Sequence, residues 1–156
     1  MRIEYVVVTF LLYILVSLTA CEPAADDKNL ARIQISEMPD SLRIVALAPH
    51  LAELVSAAGA GDFLVGVSNY SDYPKEITSL PVIGDAFVVD QEQLALLNPD
   101  MLLAWQSGTP KHVIGELSKQ GYRVEIIQTR SLEDIASALD IIGELTGNKV
   151  HATQAA

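Results

Sequence analysis

Cysteine is nearly absent from this 156-residue chain, in which Cys21 is the only one. A single cysteine excludes a disulfide bond within the chain. Positive charge is also scarce, since ten Lys and Arg stand against twenty Asp and Glu and the net charge at pH 7 is -10. An acidic chain without a basic run is a poor partner for nucleic acid and for anionic membrane surfaces.

The motifs of common catalytic sites are missing as well. No glycine-rich phosphate loop follows a predicted strand, because the Gly-Ala-Gly at 59–61 follows a helix, and there is no Gly-x-Ser-x-Gly turn. The three histidines, His50, His112 and His151, are far apart in the sequence. We therefore expect a protein that is not an enzyme and that needs no cofactor. The alternative, a nucleotide-binding α/β enzyme, would show itself by binding a nucleotide.

The amino terminus carries the longest apolar stretch of the chain. A helix from Tyr5 to Ala20 would be roughly 24 Å long at about 1.5 Å per residue, short of the roughly 30 Å core of a bilayer. That length is typical of a secretory signal peptide. The segment Leu18-Thr-Ala-Cys21 resembles the lipobox of bacterial lipoproteins, in which the signal peptide is cut before a cysteine that then carries lipid.

The resemblance to a lipobox predicts three parts at the start of the chain. Residues 1–20 are expected to be a lipoprotein signal peptide, Cys21 the lipid attachment point, and the polar residues 21–42 a tether. The protein is then periplasmic or extracytoplasmic and anchored to the membrane by lipid. A plain signal peptide remains the alternative, since its positive start contains only Arg2.

From residue 43 onward, strand, loop and helix follow one another four times. The predicted strands are Arg43–Leu47, Phe63–Val67, Met101–Trp105 and Arg123–Ile127. Helices are predicted to follow at Pro49, Asp90, Pro110 and Ser131. In the last of them, apolar residues at helical spacing predict one buried face: Leu132, Ile135, Ala136, Leu139, Ile142 and Leu145. The pattern predicts a single Rossmann-like α/β lobe at 43–147, a mainly parallel sheet flanked by helices.

The candidate binding site lies just beyond the strands, because open parallel sheets bind ligands at the carboxyl ends of their strands. The segments there are Pro49–His50, Asn69–Tyr73, Trp105–Ser107 and Gln128–Arg130. The only tryptophan and the tyrosine-rich loop thus share one edge of the sheet. Such an edge suits a large planar ligand that is held by stacking and a few hydrogen bonds. The alternative is an ordinary loop whose tyrosines pack back on the domain.

Four stretches together resemble the cobalamin-binding substrate-binding proteins of bacterial ABC importers, in the siderophore and cobalamin class of periplasmic binding proteins. They are Arg43–Glu53, Val65–Pro74, Asn98–Trp105 and Arg130–Ile135. The loop Ser68-Asn-Tyr-Ser-Asp-Tyr-Pro74 is the most specific of these motifs. The resemblance runs from about Arg43 to the last residue.

The resemblance implies roles for individual residues. Tyr70 matches a loop tyrosine that packs on the corrin ring, and Trp105 matches a tryptophan of the same pocket. A third aromatic of the family aligns with Ala86, so Phe87 is expected to substitute for it. Glu92 matches a carboxylate that pairs with arginines of the transporter's membrane subunits. Ser71 and His50, on the same edge, complete the predicted ligand-binding set, although the residue type of His50 by itself favours a local hydrogen bond.

The family has two lobes joined by a long helix, with the ligand between them. The present sequence matches the first lobe, and residues 148–156 are expected to begin the helix between the lobes. Either the chain is a truncated form or fragment, or a separate polypeptide supplies the second lobe, and the first lobe alone is expected to bind far more weakly than the family. The expected function is capture of cobalamin or a related corrinoid and its delivery to an ABC permease. An iron-siderophore or haem binding protein, and an anchored interaction module without a small ligand, are the alternatives.

Overall fold

The computed structural model describes residues 42–156. The predicted signal peptide, Cys21 and the tether up to residue 41 lie outside the described residues. Within residues 42–156, no helix is both long and apolar enough to cross a bilayer.

Four parallel strands form the sheet at the centre of the lobe. They are β1 (Ile44–Ala46), β2 (Leu64–Val67), β3 (Met101–Trp105) and β4 (Val124–Ile127), in the spatial order β2-β1-β3-β4. The predicted α/β class and the mainly parallel sheet are thereby confirmed. The sheet puts β1 and β3 in the middle, where β1 is fully buried, and leaves β4 at an edge with Ile126 exposed.

Five α-helices and two short 3₁₀ helices connect these strands. The α-helices are α1 (Pro49–Ala57), α2 (Gln91–Leu97), α3 (Lys111–Lys119), α4 (Leu132–Thr146) and α5 (Lys149–Ala155). The 3₁₀ helices are Gly61–Phe63 and Lys75–Ser79. The predicted caps form, since Asp90 accepts a hydrogen bond from the Gln93 amide and Ser131 accepts one from the Asp134 amide.

The side chains of β1 alternate between two apolar clusters, one on each face of the sheet. Ile44 and Ala46 face the cluster formed with α1, α4 and α5, whereas Val45 and Leu47 face the one formed with α2 and α3. Both faces of the sheet are therefore covered by apolar side chains and shielded from water, as is usual for a parallel sheet with helices on both sides. With both faces covered by helices, the loops at the strand ends are the places where a ligand can reach the sheet.

The predicted buried face of α4 is wrong at its first turn. Leu132 is 80% exposed and Ile135 is 37% exposed, whereas Ala138, Leu139 and Ile142 are buried. The helix follows β4, which lies at the edge of the sheet, so its first turn has little of the sheet to cover. Helical spacing identified the correct face but not the point at which core contact begins.

The closest packing between helices joins α4 to α5. A Cβ atom added at Gly143 would collide with the Cβ of Ala152 and would lie 3.2 Å from the Cα of Lys149. Asn148 reinforces this corner, since its Nδ2 donates to the carbonyl oxygen of Gly59 at 2.7 Å. A helix after residue 148 is thus confirmed, while its role as the start of an inter-lobe helix stays a prediction.

Two identical substitutions at glycines inside helices should have opposite effects on stability. Gly115 in α3 has open space around an added Cβ, so Gly115→Ala should raise the free energy of unfolding by about 0.5–1 kcal/mol through helix propensity. Gly143→Ala should lower it by about 1–3 kcal/mol because the added methyl group overpacks the contact with α5. Urea unfolding followed by circular dichroism measures both, and equal effects at the two sites would contradict the packing described.

Candidate ligand site at the carboxyl edge

Trp105 ends β3 in a tight turn that fixes its backbone. The Trp105 amide donates to the Oγ1 of Thr109 at 3.1 Å, and the Trp105 carbonyl oxygen accepts from the amides of Gly108 and Thr109 at 3.2 and 2.9 Å. Gly108 lies directly on the indole, because a Cβ atom added there would collide with three ring carbons of Trp105. The turn therefore depends on a glycine at this position.

The indole ring of Trp105 is partly buried at the rim of the core. Its Nε1 is fully buried and has no hydrogen-bond partner among the described residues. The ring meets His50 edge to face, with the ring centroids 4.9 Å apart and an interplanar angle of 79°. An edge-to-face arrangement is the favoured geometry for two aromatic rings at this distance. The ends of β1 and β3 are thus linked by two predicted site residues.

His50, in the first turn of α1, also reaches the end of β4. Its Nε2 lies 3.3 Å from the Oγ1 of Thr129, and the donor in this hydrogen bond depends on the tautomer. Half-burial lowers the pKa of His50 from its usual value, and the nearby Glu53 carboxylate opposes this shift. The neutral imidazole is therefore favoured at neutral pH.

The loop that holds Thr129 is organised by Asp134. Its carboxylate accepts two hydrogen bonds from Nε2 of Gln128, each at 3.0 Å, and one from the Arg130 amide at 2.9 Å. These contacts, the Gln128 side chain foremost, lower the pKa of Asp134. Thr129 is consequently held between two anchored neighbours.

The tyrosine loop follows β2. Tyr70 has a left-handed backbone with φ of 67° and its side chain is 88% exposed. Beneath it, the buried hydroxyl of Ser68 lies 3.4 Å from the hydroxyl of Ser71. The Asn69 amide donates to the carbonyl oxygen of Gly84 at 2.6 Å, which joins this loop to the next one. Tyr70 therefore projects into solvent from a loop that is tied down at its base.

Phe87 lies on that next loop, a short turn between Gly84 and Val89. The Asp85 carboxylate accepts from the amides of Phe87 and Val88 at 2.8 and 2.9 Å. The Val88 and then the Phe87 amide lower the pKa of Asp85. Phe87 is 68% exposed, so its ring is available to a ligand or a partner.

The structure brings the predicted site residues together to different degrees. His50 and Trp105 touch, and the loops of Tyr70, Ser71 and Phe87 are joined by the Asn69–Gly84 hydrogen bond. β1 lies between β2 and β3, so the last residues of those two strands are separated by two inter-strand spacings, about 10 Å. Glu92 is exposed on the first turn of α2 and takes part in none of these contacts.

Sequence reasoning assigned no role to three residues that build this edge: Gly108, Asp85, and Thr129 within the predicted segment Gln128–Arg130. Gly108 has a recognisable signal, a glycine three residues after an aromatic at a strand end. Asp85 also has one, since Gly-Asp is a pair found in tight hairpin turns. Thr129 has none, because its contact with His50 spans 79 residues.

A cavity of about 510 Å³ lies at the other end of the sheet. It is bordered by the end of α1, the start of β2 and the segment after the tyrosine loop: Ser56, Gly59, Gly61, Asp62, Leu64, Pro74, Glu76, Ile77 and Leu80. Because α1 runs back from the carboxyl edge, this cavity sits at the amino edge. It was not predicted and contains none of the predicted ligand-binding residues.

Metal coordination finds no support in residues 42–156, where no group of three or more His, Cys, Asp and Glu side chains is placed to hold an ion.

Comparison with known proteins assigns the fold to a family. Residues 44–156 match the family described as periplasmic binding protein. The chain belongs to this family. Relatives of this periplasmic binding protein include the vitamin B12-binding protein of Vibrio cholerae serotype O1, 36% identical over 106 residues that cover 68% of this chain and 38% of the relative. The vitamin B12-binding protein of Yersinia pestis is 35% identical over 114 residues, 73% of this chain and 41% of the relative.

Solved structures agree on the fold of this periplasmic binding protein. The periplasmic vitamin B12 binding protein of Vibrio cholerae superposes with a TM-score of 0.69 at 34% identity, over 74% of this chain and 45% of that one. A periplasmic heme binding protein of Pseudomonas aeruginosa gives 0.66 at 31% identity, over 72% and 41%. The chain thus spans about two fifths of the length of the curated relatives it matches, and the superposition covers a single lobe.

Gly108→Ala should displace the indole of Trp105. Trp105 is the only tryptophan, so its emission reports this site alone. We expect a red-shifted emission, because the ring moves toward water, and a loss of about 1–3 kcal/mol in the free energy of unfolding. Gly115→Ala is the matched control, and an unchanged spectrum in Gly108→Ala would contradict the contact.

Proposed function

We propose that this protein is the first lobe of a cobalamin-binding component of an ABC importer, which captures cobalamin or a related corrinoid at the carboxyl edge of its sheet. The observation that carries this proposal is the exposed ring of Tyr70 on the same edge as the indole of Trp105, in a chain that is 36% identical over 106 residues to a vitamin B12-binding protein. Tyr70 lies within the loop motif that resembles the cobalamin-binding proteins most specifically.

The physical case depends on matching a broad, flat ligand. A corrin ring spans about 10 Å, comparable to the two inter-strand spacings between the ends of β2 and β3. Aromatic side chains present large apolar faces with little conformational freedom to lose. Tyr70 and Phe87 already project into solvent, so stacking on them requires no rearrangement of the core. Ser71, beside Tyr70, supplies a hydroxyl for the ligand's polar periphery.

Delivery to a permease is proposed to use Glu92. This carboxylate is exposed on the first turn of α2, where the helix dipole also favours a negative charge. An exposed carboxylate at a fixed helix end suits an arginine of a membrane subunit. The net charge of -10 adds a general attraction toward a basic partner.

Haem is the second candidate ligand. The structural neighbour from Pseudomonas aeruginosa, 31% identical, is named a heme binding protein. Haem is also planar, and the exposed rings of Tyr70 and Phe87 could stack on it in the same way. Direct competition between the two ligands distinguishes these candidates.

Cyanocobalamin should bind to the full chain in detergent and should change the emission of Trp105. Tyr70→Ala should weaken binding by about tenfold, because it removes a stacking face. Tyr70→Phe should bind almost as well as the unmodified protein, since it keeps the ring. Equilibrium dialysis with cyanocobalamin, and with hemin in parallel, measures the affinities.

Val150→Ala is the matched control, because Val150 is a similarly exposed apolar residue on α5, beyond the amino edge. Tighter binding of hemin than of cyanocobalamin would favour the second candidate. No binding of either ligand would contradict the proposed function.

The lipid anchor is proposed at Cys21 on the sequence alone. In a bacterial host supplied with radiolabelled palmitate, the chain should become labelled and should appear in the membrane fraction. Cys21→Ser should abolish the label and release the protein from the membrane fraction if cleavage still occurs, or leave the uncleaved precursor. Equal labelling of Cys21→Ser and the unmodified chain would refute the anchor.

A further inference from the structure

His50 differs in its exposure from Tyr70 and Phe87 of the predicted ligand-binding set. Tyr70 and Phe87 project into solvent, whereas the His50 ring is half-buried between two neighbours. One neighbour is the indole of Trp105 at 4.9 Å, and the other is the hydroxyl of Thr129 at 3.3 Å. A half-buried ring that already contacts two neighbours has less surface free for a ligand than an exposed ring.

The indole of Trp105 needs such a support. Its Nε1 makes no hydrogen bond within the described residues, so no polar contact of the side chain fixes the rotation of the ring. Gly108 limits the ring on one side by close packing. The edge-to-face contact with His50 supplies the second constraint.

Thr129 in turn limits the imidazole. Its loop is anchored by Asp134, whose carboxylate binds the Gln128 side chain and the Arg130 amide. The loop after β4 therefore holds His50 at the start of α1, and His50 in turn holds Trp105 at the end of β3. Three of the four strand ends are joined by this chain of contacts.

We propose that His50 is a positioning residue, which holds the indole of Trp105 at the carboxyl edge through its contact with the ring and is itself held by Thr129. This inference rests on the proposed function only in its consequence for ligand binding. The geometry of the ring pair is a property of the unliganded protein and can be tested without any ligand.

The charge state of His50 can be used to detect the contact between its ring and the indole of Trp105. A protonated imidazole in contact with an indole quenches its fluorescence, and burial lowers the pKa of His50 from its usual value of 6.5. The charged group that acts on the ring is Glu53 on α1. On the side of Thr129, Arg130 is the next residue of the loop, and Asp134 on the first turn of α4 accepts from the Arg130 amide; Trp105 and Thr129 are neutral. Because the folded pKa is the lower one, the unfolded chain binds more protons below pH 6.5, and stability falls as the pH drops through this range.

The first experiment follows the emission of Trp105 in the full, ligand-free chain as the pH is lowered from 8 to about 4.5. We expect a decrease with a midpoint below the usual histidine value. The step should be absent in His50→Ala and should persist in His112→Ala, a matched change at an exposed histidine on α3. A step that is absent from the unmodified chain, or that persists in His50→Ala, would overturn the proposal.

The second experiment measures ligand affinity with cyanocobalamin. His50→Ala should weaken binding about three- to tenfold, the range expected for loss of one aromatic contact. Thr129→Val, which removes only the hydrogen bond, should weaken it less, and His112→Ala should leave it unchanged. An affinity of His50→Ala equal to that of His112→Ala would contradict the positioning role.

The two sets of results separate failure of this inference from failure of the proposed function. If the unmodified chain binds no cyanocobalamin, the proposed function fails, and the ligand-free spectra still decide the role of His50. If His50→Ala does not fold, the pH dependence of the unmodified chain and the Thr129→Val variant carry the test. In that variant the near-ultraviolet circular dichroism of Trp105 should weaken, and an unaltered signal would count against the proposal.

Discussion

Parallel pairing of β1 with both of its neighbours is the constraint on which the rest of this structure depends. Ile44 pairs with Leu64 of β2 on one side and with Met101 of β3 on the other. Because these pairings are parallel, and β4 pairs in parallel with β3, all four strands end on the same side of the sheet. Aromatic residues that lie 35 positions apart in the sequence, Tyr70 and Trp105, are thereby carried to one edge. This placement depends on β1, because β1 lies between β2 and β3 and sets the direction of both.

The edge combines two kinds of side chain with different tasks. Tyr70 and Phe87 are exposed on loops whose backbones are tied down, one by the Asn69–Gly84 hydrogen bond and the other by Asp85. His50 and Trp105 are partly buried and constrain each other. A ligand would therefore meet exposed aromatic faces on one side of the edge and a partly buried ring on the other. This division is consistent with a surface that captures a bulky molecule and then orders it.

The sequence predicted those parts of the fold that depend on local pattern. Apolar segments and the capping residues Asp90 and Ser131 identified each strand and α-helix of residues 42–156 within a few residues, but neither of the two 3₁₀ helices. The pattern failed where a tertiary contact decides: the exposure of Leu132 follows from the edge position of β4, and the contact between His50 and Thr129 joins distant segments. The amino-edge cavity was missed for the same reason, since its lining comes from several separate segments.

The measurement that tests the central claim most directly is two-dimensional nuclear magnetic resonance of the isotope-labelled chain during addition of cyanocobalamin. The single indole resonance belongs to Trp105, so its assignment is immediate. The account predicts that this signal and the amides of Tyr70 and Phe87 shift together in one saturable process. Shifts confined to the lining of the amino-edge cavity, such as Ser56 and Ile77, with the indole signal unmoved, would contradict it.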